Sequence, residues 1–201
     1  MFAQEQVNYT KVRGLLTTEA AAVADVYYDL DRYGANTSTA LQASLRAYVH
    51  AVRGIEWTSL SEGRLHGEAW GLWDRVYRGV LDLEPQTPRE TALRGNMLQD
   101  LDRISDSRSQ REVAALGTVT WLFWVAALFG FALVVMPYFT FAPTPLHLML
   151  LAVFAAFNGL VLFVIAAMAN PYAEPAALEP AAFDRLVENW EAEAEQRANP
   201  E

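Results

Sequence analysis

Up to Glu112 the chain mixes polar and apolar positions at helical spacing, and beyond it the polarity disappears. From Val113 to Met136, and again from Leu146 to Asn170, nearly every residue is apolar, and between Glu112 and Glu174 no side chain carries a formal charge unless His147 is protonated. About 20 apolar residues suffice for a helix to cross the hydrocarbon core of a bilayer. A helix apolar on every face does not suit the surface of a soluble domain. The two runs, joined by PYFTFAPTP with its three prolines, predict a transmembrane helical hairpin over residues 112–172, with spans at 113–136 and 146–170.

The segments before the hairpin read as amphipathic helices. From Arg13 to Tyr33, Leu15, Ala22, Val26 and Leu30 fall near one face, with Glu19, Asp25 and Asp29 elsewhere. Gly34-Ala35-Asn36 interrupts, and Thr37 or Ser38 can cap a second helix. That helix carries Leu41, Leu45, Tyr48, Val49 and Val52 and is expected to end near Gly54 or Trp57. After the polar link Ser61–Gly67, a third runs from Glu68 to Leu83 with Ala69, Leu72, Val76, Val80 and Leu83 inward. Thr87-Pro88-Arg89-Glu90 is a capping box with proline at the first helical position.

From Pro88 no proline intervenes before Pro137, which predicts one continuous helix to Met136, about 70 Å long at 1.5 Å per residue. Its first half would form a stalk with Leu93, Met97, Leu101 and Ile104 facing the earlier helices, and with Gly95 and Gly117 as bending points. Thr144-Pro145 repeats the hydroxyl–proline start, and Asn170-Pro171 ends the second span. Pro180 opens a last amphipathic helix with Phe183, Leu186, Val187 and Trp190 on one side, followed by an acidic tail expected to fray. The fold class expected is an all-α membrane protein. A cytosolic helical domain with stalk (1–111) would lead into the hairpin (112–172), and a cytosolic short helix with tail (173–201) would follow.

Composition narrows the function. A net charge of −9, with no basic stripe to neutralise phosphates, argues against nucleic acid as a partner. Without cysteine there is no disulfide or thiolate, and His50, His66 and His147 match no metal-ligand spacing, so no metal or cofactor is expected. No Ser-His-Asp set, glycine-rich phosphate loop or oriented carboxylate pair is apparent, so the chain does not read as an enzyme. The opening residues lack the basic start and apolar run of a signal peptide. Arg103, Arg108 and Arg111 flank the first span while the loop beyond it is uncharged, which places both termini in the cytoplasm by the positive-inside rule.

Within the spans, Asn158 carries an amide into the middle of the second, where leaving it unsatisfied costs several kcal/mol. It must face another helix or a water-filled path, and His147 at the start of that span is a second polar contact of this kind. Ala126 with Gly130, and Ala155 with Gly159, are small-residue pairs that let helix backbones approach. The aromatic residues Tyr27, Tyr28, Tyr48, Trp57, Trp70, Trp73 and Tyr77 read as core.

The chain resembles a family of bacterial membrane proteins described as bestrophin-like, over roughly residues 13–190. The residues that carry the likeness are Arg13, Leu16 and Glu19-Ala20, then Leu45 to Val52 (LRAYVHAV), Glu56-Trp57 and Glu68-Ala69-Trp70. Pro88 to Leu93, His147 and Asn170-Pro171-Tyr172 complete it. The resemblance implies a multi-pass protein of the bacterial inner membrane, embedded in the lipid bilayer and forming a homo-oligomer or joining a larger membrane complex. It implies a channel-like or ion-transport role, the alternative being a non-catalytic accessory subunit that anchors a helical domain. It also implies a further span ahead of the Glu-Ala helix, which the sequence as given is expected to lack.

Overall fold

A computed structural model of the chain describes residues 2–34, 36–116, 121–140, 144–168, 170–174 and 177–198. Its elements are α1 (Phe2–Tyr33), α2 (Asn36–Ala51), a π turn (Val52–Glu56), α3 (Trp57–Ser61), α4 (Glu68–Leu81), α5 (Pro88–Leu116), α6 (Trp121–Val135), a 3₁₀ turn (Met136–Thr140), α7 (Pro145–Met168) and α8 (Ala181–Ala198). Among the described residues the regular structure is entirely helical, as the sequence pattern predicts. α1 begins eleven residues earlier than Arg13, and α8 continues through the acidic tail.

The head is built on the packing of α1 against α5. The buried stripe of α1 is Val12, Leu16, Glu19, Val23, Val26 and Leu30, and that of α5 is Met97, Leu101, Ile104, Arg108, Arg111 and Ala115. Both step by three and four residues, the spacing that keeps one seam of a helix on its partner. α2 and α4 pack on each other beside this pair. Their approach is close at Gly79, where a Cβ would overlap the buried side chain of Leu41. α8 lies along α1 through Phe183, Leu186, Val187 and Trp190, all buried as expected.

The end signals at Gly34, Thr87 and Thr144 act as read. Gly34 takes φ +75°, the left-handed conformation that ends α1 without steric cost. Thr87 Oγ1 accepts from the Glu90 amide (3.1 Å) while Glu90 Oε2 accepts from the Gln86 amide (2.6 Å), and the His147 amide donates to Thr144 Oγ1 (3.3 Å). Both ends of the second helix differ from expectation. It begins at Asn36, which puts Thr37 and Ser38 inside it and leaves the buried Ser38 hydroxyl without a partner among the described residues, and instead of stopping near Gly54 or Trp57 it widens into the π turn and runs on through α3.

The apolar runs lie on the end of α5, on α6 and on α7. Val113–Leu116 belong to α5, where Ala115 is buried in the head core, and α6 is described from Trp121. Whether α5 and α6 are one helix is a question that falls on residues 117–120, outside the described ones. α7 alone among the described helices is long and apolar enough to cross a membrane, with Pro145–Ala167 at a mean hydropathy of 2.7. α6 is described over 15 residues. The two meet at the stacked rings of Phe131 and Phe154, 6.2 Å apart, and otherwise present large apolar side chains such as Phe129, Leu133, Phe157 and Phe163 to their surroundings.

Candidate functional site

Charged residues sit in the middle of the core. Glu19 occupies the centre of the α1 stripe, and Arg108 and Arg111 continue the α5 stripe; all three are fully buried. Arg111 holds Glu19 in a two-pronged pair, Nε to Oε2 at 2.6 Å and Nη2 to Oε1 at 3.0 Å. Its Nη2 also donates to Glu56 Oε1 at 3.2 Å. The other oxygen of Glu56 meets Arg108 Nη2 at 2.5 Å, and Arg108 Nε reaches Glu112 at 3.1 Å. Tyr48 donates its hydroxyl to Glu19 (2.5 Å), and Trp70 donates its indole N–H to Glu112 (2.8 Å). The Arg108 guanidinium lies over the Trp70 ring, 4.8 Å from its centroid.

A single run of polar contacts therefore goes Tyr48, Glu19, Arg111, Glu56, Arg108, Glu112, Trp70, and ties α1, α2, the π turn, α4 and α5 together. The π turn has a role here, because the extra residue it inserts sets the angle at which Glu56 leaves the helix. Desolvation of each ion costs several kcal/mol, which the partners must offset. Burial pushes the Glu56 carboxyl up, against the pull of Arg111 and Arg108. Burial also works against the charge on Arg111, yet Glu19 and Tyr172 outweigh it and hold that guanidinium well above its usual range. Burial, then the charge of Glu19, raises the Tyr48 phenol well above 10.

The segment leaving α7 docks on the same place. Asn170 Nδ2 donates to the carbonyls of Leu60 (3.0 Å) and Ser61 (3.2 Å) at the end of α3, while its Oδ1 accepts from the Tyr172 amide (2.9 Å). Tyr172, itself buried, packs edge-on to Trp57 at 4.9 Å, and its phenol lies beside Arg111. Trp57 donates its indole N–H to the Leu178 carbonyl (3.2 Å). What the arrangement can do is fix the exit of α7 relative to the head.

The polar and small residues singled out in the spans lie apart from this network. Asn158 is half-buried and donates to the Phe154 carbonyl of its own helix (2.9 Å). The His147 ring lies 3.2 Å from the Tyr138 carbonyl and against the Tyr138 ring. Gly130 and Gly159 have open space where a Cβ would stand; Ala126 is exposed and Ala155 half-buried. Of the arginines that flank the first apolar run, Arg103 is paired with Asp100 at 2.9 Å, and Arg108 and Arg111 are buried against carboxylates.

A family model described as the Bestrophin-like domain matches residues 3–183. The chain belongs to that family. The match begins earlier than the resemblance read from the motifs, at Ala3, and ends at Phe183. No curated protein and no solved structure matches the chain. Membership, together with the exposed apolar α7, associates the protein with a membrane. Several of the residues on which the resemblance rested converge in space: Glu19, Tyr48 and Glu56 lie in the network, Trp70 at its end, and Asn170 and Tyr172 against it, whereas Pro88–Leu93 and His147 lie elsewhere. Sequence reading missed the network itself. It placed Glu19 off the apolar face of α1 and stopped the α5 stripe at Ile104, although steps of four and three residues lead from there to Arg108 and Arg111.

Proposed function

We propose that the protein is a two-span membrane subunit of the bestrophin-like family, with α6 and α7 as the spans and α1–α5 and α8 as a head on the cytoplasmic side. In this reading the chain anchors and orients its head and associates through its spans, as a homo-oligomer or within a larger membrane assembly. The observation that carries it is the contrast between the two halves. The head is closed by a buried ion network, whereas among the described residues α6 and α7 meet at the rings of Phe131 and Phe154 and leave Gly130 and Gly159 open to close approach. A helix pair this loosely joined gains its remaining packing from lipid or from further helices.

Ion conduction is the second reading, favoured by the family. It needs Asn158, the amide in the middle of α7, to line a path between assembled copies, because pores display polar groups, charges or carbonyls along their length. Native mass spectrometry in mild detergent, with ion flux from liposomes of known protein content, separates the two. The anchoring reading expects a defined oligomer or co-purifying subunit and no flux above protein-free liposomes. A monomer with no partner contradicts it, and selective current lost in Asn158→Leu replaces it with the channel.

A further inference from the structure

A polar groove of about 340 Å³ lies between α1 and the start of α8, lined among others by Tyr9, Arg13 and Thr17 of α1 and by Glu179, Ala182 and Arg185. Its size is within the range of small-ligand sites, about 300–1,000 Å³. Both arginines are exposed, and among the described residues neither guanidinium has a carboxylate partner, in contrast to Arg103, Arg108 and Arg111. Glu179, also exposed, stands on the rim and leaves the lining with an excess of one positive charge. In a chain of net charge −9, two exposed arginines without a carboxylate partner among the described residues thus line one groove.

The height of the groove says which anion is nearby. α1 and α5 run antiparallel: Glu19 meets Arg111, and at the far end of α1 Tyr33 lies near Glu90 and Arg94. Arg13 precedes Glu19 by six residues, about 9 Å along the axis, and the same rise from Arg111 reaches the end of α5. Arg13 is therefore level with the last turn of α5, and Tyr9 lies about one turn beyond. α7 arrives at the same end: it contacts α1, and Ile165, near its last turn, is its buried side chain. The lining residues Ala177–Ala182 follow directly after the α7 exit. On the membrane reading proposed above, the groove opens at the bilayer surface, where arginines meet lipid phosphates.

We propose that this groove binds a phosphate group carrying net negative charge, with Arg13 and Arg185 as its cationic clamp and an anionic phospholipid headgroup as its source. The test uses the full chain in mild detergent. Thermal unfolding is followed against dihexanoyl-phosphatidylglycerol, dihexanoyl-phosphatidylcholine and inorganic phosphate, for wild type, Arg13→Gln, Arg185→Gln, the double variant and the control Arg89→Gln. Phosphatidylglycerol is expected to stabilise wild type and the control, with apparent affinity falling about fivefold in each single variant and roughly thirtyfold in the double. Stabilisation by inorganic phosphate that is lost in the double variant supports the groove and assigns it a free phosphate. A response to phosphatidylglycerol that survives in the double variant, or that phosphatidylcholine matches, overturns the proposal. Flotation of wild type and double variant with phosphatidylcholine liposomes keeps the two readings apart. Loss of the headgroup effect with flotation intact refutes the groove alone, whereas wild type that does not float refutes the membrane reading beneath it.

Discussion

Replacing Arg111 with methionine keeps the length of the side chain but strips Glu19 of bonds at 2.6 and 3.0 Å and Glu56 of one at 3.2 Å. Removing one partner of a buried pair leaves the other charge uncompensated and costs about 3–5 kcal/mol. For a chain of this size each kcal/mol moves the midpoint by about 2–4 °C, so the expected fall is about 6–20 °C. Glu19→Leu alone should cost a similar amount, since it orphans Arg111. The double variant should recover most of the loss, because hydrophobic replacement of a whole buried pair is often neutral. A residue of about 1–3 kcal/mol should remain, from the Tyr48 hydroxyl that loses its acceptor. Thermal unfolding by circular dichroism in one detergent gives the cycle, with an expected coupling of at least about 3 kcal/mol. Additivity within about 0.5 kcal/mol, or a cost for Arg111→Met below about 1 kcal/mol, would refute the view that this pair closes the head.

Asn170→Ala removes the donor to the Leu60 and Ser61 carbonyls and should lower stability by about 1–3 kcal/mol. The loss should come with faster proteolysis between Asn170 and Pro180; unchanged cleavage would mean that the α7 exit is held elsewhere. Thr87→Ala deletes the cap of α5 and should cost about 1 kcal/mol, read from the same melting curves, with Thr87→Ser restoring most of it. The hydrogen bond to Glu193, with burial second, pushes the Tyr28 phenol up to about 12. A raised pKa contributes stability that is complete below pH 10 and lost as pH climbs through about 12. The tyrosinate absorbance missing in Tyr28→Phe should accordingly titrate near 12; a missing component near 10 would remove the bond.

Much of the architecture was legible because its signals are local. The capping box at Thr87, the glycine stop at Gly34 and the apolar face of α8 each depend on a few neighbouring residues, and the structure bears them out. The π turn was not legible. It appears where the chain must present Val52, Glu56 and Leu60 to one core while Glu56 reaches two arginines from a distant helix, a tertiary demand that no local pattern records. The ion network escaped because a charged residue is read as solvent-facing by default. Glu19, Arg108 and Arg111 fall on the buried stripes by position, and only the pairing of α1 with α5 shows why the charges are tolerated there.

The absence of cysteine from the natural sequence makes the two-span topology directly measurable. Single cysteines at Ser109, Thr140 and Glu191, all exposed positions, are labelled with a membrane-impermeant maleimide in sealed right-side-out and inverted vesicles. The account predicts that Ser109→Cys and Glu191→Cys react from the cytoplasmic face and Thr140→Cys from the opposite face. Reaction of Thr140→Cys from the same side as Ser109→Cys would mean that α6 and α7 do not cross the bilayer as a pair, and would contradict it.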